Sequence, residues 1–134
     1  MQITTVNDTA KGPATTFTGD VYVTPIAPAT APAYLTGALV RFTPGARTFW
    51  HSHARGQTLY VTEGIGLVAS RGGTVTRISP GDTVTIAAGE EHWHGGTATT
   101  CMSHLALVTS DGHSDPTTWL EPVSDHDYAT ALLT

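Results

Sequence analysis

The sequence predicts an all-β sandwich or barrel with one short helix at its C-terminal end. Turn signals such as Pro44-Gly45 and Pro80-Gly81 recur about every ten residues, and the runs between them are rich in β-branched residues. Helix-start chemistry stands out in SDHDYATALL, residues 124–133, where Ser124 and Asp127 have capping-box spacing.

Taken in order, FTGDVYVTP (17–25) alternates as a strand and is expected to stop at Pro25. APATAP (27–32) reads as a loop, and YLTGALVRFTPGA (34–46) as a strand closed by a Pro-Gly turn. TLYVTEGIGLVAS (58–70) gives two short strands joined at Gly64. RGGTVTRISPGD (71–82) gives a hairpin, a strand and a second Pro-Gly turn; TVTIAAGEEHWHG (83–95) and CMSHLALVTS (101–110) follow. Arg41 should face water, which turns Ala38, Val40 and Phe42 inward. In the later strand, Met102, His104, Ala106 and Val108 share one face, and Cys101, Ser103, Leu105 and Leu107 the other; both are partly apolar, so either can line the interior.

Length and composition narrow the function. The chain has 134 residues, 40% hydrophobic and 13% charged, and reads as one domain over 1–134. Its net charge is −5, Lys11 is the only lysine, and no basic stripe is visible, which argues against nucleic acid and anionic membranes as partners. No segment approaches the ~18 apolar residues of a membrane span, and MQITTVNDTAKG at the N-terminus has no leader-like apolar run. The single cysteine, Cys101, cannot form an internal disulfide and reads as a small core residue. A cytoplasmic protein is expected.

The chemistry lies in two stretches. The first runs Gly45, five residues, His51, one residue, His53, three residues, Gln57, six residues, Gly64. The second runs Gly81, seven residues, Gly89, two residues, His92. His51 and His53 share a strand face, Gln57 opens the next strand, and His92 can close the group from a distant strand. Three imidazoles and an amide oxygen suit one first-row divalent ion: Mn, Fe, Ni, Co or Zn. Four protein ligands leave positions open, which points to chemistry or ligand binding rather than a closed structural site. His94 follows His92 by two, and His104 lies in an apolar strand; each is a candidate acid–base group, with a hydrogen-bonded core histidine as the competing reading. Trp50 and Trp93 neighbour ligand histidines and should point away to pack, while His113 and His126 lie in Asp-rich, solvated stretches.

The two stretches, residues 45–64 and 81–96, resemble the paired motifs of the cupin family, G-x5-H-x-H-x3/4-E-x6-G and G-x5-P-x-G-x2-H-x3-N. Gln57 replaces the usual glutamate, and Ala87 and Gly96 replace the motif's proline and asparagine. The resemblance implies a jelly-roll β-barrel with His51, His53, Gln57 and His92 as ligands. GPATTFTGDVYV, FTPGARTFWHSHARGQTLYVTEG, ISPGDTVTIAAGEEHWHG and MSHLAL further resemble small bacterial cupins with (R)-selective hydroxynitrile lyase activity. That likeness implies manganese as the ion and a substrate pocket including Ala38, Val40, Thr48, His94 and His104, with Val108 where a polar residue is expected. Alternation turns Thr48 away from the site, so its inclusion requires an irregular strand after Gly45.

Three functions are in view. A lyase would cleave or form aromatic cyanohydrins using the ion as Lewis acid and a histidine behind the ligands as base. A metal-dependent dioxygenase or isomerase is the first alternative, weakened by the absence of a carboxylate ligand. A non-enzymatic cupin that binds a small molecule is the second. Low charge and long apolar strands also suggest a homo-oligomer, a dimer or tetramer.

Overall fold

The alternating segments form strands wherever β-branched and aromatic residues run between turns, and the strands pair antiparallel throughout. The computed structural model describes residues 1–5 and 7–133. The strands are β1 (Ala10–Lys11), β2 (Phe17–Thr18), β3 (Val21–Pro28), β4 (Leu35–Phe42), β5 (Arg47–Thr48), β6 (His51–His53) and β7 (Gln57–Gly64). They continue with β8 (Gly66–Ser70), β9 (Val75–Ile78), β10 (Thr83–Ile86), β11 (His92–Gly96), β12 (Met102–Thr109) and β13 (Thr117–Trp119), and helix α1 spans Asp125–Ala131.

One sheet has the order β1-β3-β4-β12-β7-β10. The other is built around β11, which pairs with β8 on one side and with β5 and β6 on the other. Strands β2 and β13 then pair with β5 and β6, and β9 with β8. The two sheets curl against each other as a jelly-roll barrel. Between them pack Val21, Val40, Phe42, Ala46, Val61, Ile78 and Met102. Arg41 is exposed, as alternation required, and Met102, His104, Ala106 and Val108 take the inner face of β12. A second apolar layer covers the outside of the β11 sheet: Trp50, Leu67, Ala69, Trp93, Val123, Tyr128 and Ala131. Trp50 and Trp93 thus pack away from the histidines, as expected.

This outer layer exists because α1 docks there. Ser124 caps the helix by accepting from the Asp127 amide. The buried Arg47 donates to the Val123 carbonyl at 2.9 Å, and its guanidinium lies 4.3 Å from the centre of the Tyr128 ring. The Tyr128 hydroxyl donates to the Gly96 carbonyl at 2.8 Å. Gly95 permits this crowding, since a Cβ there would overlap the Ala46 and Arg47 backbone.

Three expectations fail. Residues 17–25 do not form one strand, because Gly19, at φ +79°, turns the chain between β2 and β3 into different sheets. The strand from Val21 does not stop at Pro25 but runs to Pro28 through a register shift. β1 reaches only Tyr22 and Val23, so the missing amide of Pro25 faces an open edge. Cys101 is exposed, not core, because β12 begins one residue later at Met102.

Trp93 is 2% exposed at the centre of the outer layer. Replacing it with Ala should cost about 3–5 kcal/mol, read as a lowered midpoint in denaturant unfolding. An unchanged midpoint would mean that the layer adds nothing to stability.

Candidate metal centre

β6 places His51 and His53 on the inner face, and the pairing of His51 with His92 brings β11 alongside. One ring nitrogen from each of His51, His53 and His92 lies within 4.8 Å of the others, and all three residues are buried. Gln57 joins them through the turn after His53. Gly56, at φ +80°, donates to the His53 carbonyl, and a Cβ there would press on the Ile86 carbonyl. The chain thereby re-enters as β7 with the Gln57 amide oxygen 3.0 Å from His92 Nε2.

Each of the three imidazoles is fixed through Nδ1. His51 donates to the Phe49 carbonyl at 2.9 Å, and His92 to the Glu90 carbonyl at 2.8 Å. His53 Nδ1 meets Thr117 Oγ1 at 2.9 Å. Glu90 is itself anchored, its carboxylate accepting from the Ala87 amide and from Ser70. Such bonds set the tautomer that leaves Nε2 as a lone pair, the usual support behind a metal-ligating histidine.

The donor set fits a divalent ion. His53 Nε2 is buried without a partner among the described residues. His92 has an oxygen acceptor at each ring nitrogen, yet a neutral imidazole carries one proton. With that proton given to Glu90, Nε2 and the Gln57 oxygen are two lone pairs 3.0 Å apart. That is the spacing of neighbouring ligands on an octahedral ion with bonds of about 2.1 Å. The three histidines can therefore hold a metal, with the Gln57 oxygen beside them.

Burial also sets the protonation states. His51 is pushed down to about 2, first by burial and then by His92; His53 falls to about 4 for the same two causes, in the same order. Burial lowers His92, and burial followed by His104 lowers His94 far below its ordinary value. His104 falls to about 4 through burial. All five imidazoles are neutral near pH 7.

Beyond the ligand group lies a second histidine pair. His104 Nε2 and His94 Nδ1 are 2.9 Å apart, while His94 Nε2 and His104 Nδ1 have no partner among the described residues. The His94 ring centre is 5.2 Å from that of His51 and 5.6 Å from that of His92. Across the interior, Ala38 and Val40 sit on β4 opposite Ala106 and His104, and Val108 follows on β12, 8% exposed.

Thr48 is buried at the inner side, where its hydroxyl accepts from the His94 amide at 3.2 Å. The required irregularity is present. Arg47 pairs with Gly95 and His51 with His92, so four steps on one strand match three on the other. The extra residue, between β5 and β6, lets both Thr48 and His51 face inward. His113 and His126 are exposed, as expected.

Two residues at the site escaped the sequence reading: Thr117, which holds His53, and Trp119, which pairs with His51 and lies 4.6 Å from it between ring centres. Their one signal was the short alternation of Thr117-Thr118-Trp119 after Pro116.

Residues 38–108, which carry both histidine groups, match the family of Cupin domains. Over 119 residues the chain is 50% identical to the (R)-mandelonitrile lyase of Granulicella tundricola, covering 88% of this chain and 89% of that one. A crystal structure of a cupin-like protein from Thermotoga maritima superposes with a TM-score of 0.87 at 36% identity, covering 91% of this chain and 92% of that one. A cupin-2 domain from Rhodospirillum rubrum shares the fold at 17% identity, with a TM-score of 0.72 over 97% of this chain and 84% of that one.

The lowered histidines make stability of the metal-free protein depend on pH. His53 and His104 protonate near 4 when folded and near 6.5 when unfolded. Between those values the unfolded chain binds more protons, so stability is full above about pH 6.5 and is lost as pH falls toward 4. The loss is about 1.4 kcal/mol per pH unit for each histidine still neutral. Denaturant unfolding of the metal-free protein at pH 7 and pH 5 checks this; equal midpoints would mean that the imidazoles are solvated.

Proposed function

The chain belongs to the cupin family, and we propose that within it this protein is a metal-dependent lyase cleaving aromatic cyanohydrins to an aldehyde and cyanide. The observation that carries the reading is the pair of histidine groups in one buried interior: lone pairs converging at His51, His53, His92 and Gln57, and His94–His104 beside them. Similarity to a lyase of (R)-mandelonitrile supplies the substrate class.

His51, His53, Gln57 and His92 would hold one divalent ion per chain, with Mn²⁺ the first candidate. When bound, the ion supplies a Lewis acid that makes a nearby hydroxyl more acidic. Gln57 adds no charge, so the positive charge at the site is not cancelled by its own ligands.

His94 is the base. In the tautomer this role requires, its Nδ1–H donates to His104 Nε2, which would leave His94 Nε2 as the lone pair that accepts the proton. Burial keeps that imidazole neutral and ready to accept. It takes the hydroxyl proton as the oxygen's electron pair forms the carbonyl and the bond to the nitrile carbon breaks. The departing cyanide carries that bond's electrons and regains the proton from the His94 imidazolium as hydrogen cyanide. His104 positions His94 and shares the charge while it is protonated. Ala38, Val40, Thr48 and Val108 wall the pocket. The outer face of the six-stranded sheet, with Tyr22 39% and Tyr60 44% exposed, is the surface assigned to a homo-oligomer contact.

His53→Ala and His92→Ala should each remove most bound metal, measured by elemental analysis of the purified protein. Full occupancy in both would show that the ligand set is wrong.

His94→Ala should keep the metal while cleavage of mandelonitrile slows by about 10²–10⁴-fold. Metal lost in proportion to rate would make His94 a ligand. A wild-type protein that is fully loaded yet inert toward mandelonitrile would overturn the lyase reading.

A further inference from the structure

Trp119 has no part in the ligand set or the proton path, yet it stands on their face of the sheet. It pairs directly with His51 across β13 and β6, and directly opposed residues share a face. Its ring lies on His51 at 4.6 Å, tilted by 31°. Unlike the histidines it is 40% exposed. The other exposed strand aromatics lie on the far side of the opposite sheet: Tyr22 pairs with exposed Arg41, and Tyr60 with Leu105.

Aromatic side chains continue inward from Trp119. Phe17 is 6.1 Å from it between ring centres, and Phe42 is 6.3 Å from Phe17. Phe42 in turn lies 5.8 Å from His94 and 5.4 Å from His104. A series of neighbouring aromatic rings therefore runs from the part-exposed Trp119, which lies on His51, through Phe17 and the buried Phe42 to His94 and His104. The flanking β2 and β13 both lie at the interrupted strand, so the bulge that turns Thr48 inward also brings Phe17 and Trp119 together.

We propose that Trp119 is the specificity residue that receives the aromatic ring of the substrate at the mouth of the site. The indole offers a flat apolar face with little conformational entropy to lose, and an offset or edge contact with a phenyl ring favours aromatic over small aliphatic substrates. The assignment rests on the lyase reading for what the ring carries, though not for the binding of the ring itself.

The test uses the full-length, metal-loaded protein with Trp119→Leu and Trp119→Phe. Trp119→Leu should raise KM for mandelonitrile by about 3- to 10-fold while changing kcat/KM for the aliphatic lactonitrile less than about twofold; Trp119→Phe should restore most of the preference. A second measurement needs no turnover. Trp50 and Trp93 are 8% and 2% exposed, so a change in tryptophan fluorescence on adding benzyl alcohol reports Trp119. Benzyl alcohol should bind the wild type with such a change and bind Trp119→Leu more weakly, as read by its competition with mandelonitrile or by calorimetry. If the wild type binds benzyl alcohol at Trp119 yet cleaves no cyanohydrin, the lyase reading fails and this one stands. Unchanged discrimination between the two substrates, equal benzyl alcohol affinity in Trp119→Leu, or equal losses on both substrates accompanied by loss of metal would overturn it. The last outcome would reduce Trp119 to a brace for His51.

Discussion

Five imidazoles share one dry interior, and the site depends on all of them staying neutral there. His51, His53, His92, His94 and His104 are each no more than 4% exposed. In such a space a charged imidazole loses its hydration, and for His51, His53 and His94 it also meets other imidazoles. Burial is accordingly the first cause lowering every one of them. Neutrality serves two ends. A ligand histidine must offer a lone pair, and a base must be unprotonated before it acts. One physical condition thus suits both roles proposed for them.

Neutral imidazoles still need their protons on the correct nitrogen, and the backbone decides that. The carbonyls of Phe49 and Glu90 each stand two residues before the histidine they orient. The same strands that carry His51 and His92 therefore fix their tautomers, at no cost in extra side chains. His53 is the exception, depending on Thr117 from β13, far away in sequence. β11 divides the labour between faces: His92 and His94 point inward, and Trp93 between them packs under α1. The outer layer thereby holds the inner face in register, through Arg47 and the Tyr128 hydroxyl.

The parts legible in the sequence were those governed by local periodicity. The period of two in His51-Ser52-His53 and in His92-Trp93-His94 gave the ligand face and sent Trp50 and Trp93 away from it. Turn residues gave the strand boundaries, and Ser124 the helix start. Thr48 needed more than alternation, because a bulge appears only once the partner strand is known. Pro25 was misjudged for a similar reason: whether a proline ends a strand depends on whether its edge is already paired. Cys101 missed the core by a single residue at a strand start. Thr117 and Trp119 were invisible because their importance is a matter of cross-strand register, which three residues of alternation do not reveal.

Gln57 belongs to the same economy of charge. Its amide oxygen lies 3.0 Å from His92 Nε2, and the His53 ring lies 5.5 Å from that of His92 between centres. A carboxylate at that point would favour the imidazolium of either neighbour, forming an ion pair that competes with a metal for the same nitrogen. The amide offers an oxygen without inviting the proton. A carboxylate would bind a cation more strongly through its charge, but it would also cancel part of the charge that the bound ion presents to a substrate. In an interior where burial already keeps the histidines neutral, a neutral amide beside them leaves their nitrogens free of protons, and it would leave the charge of an ion held there uncancelled.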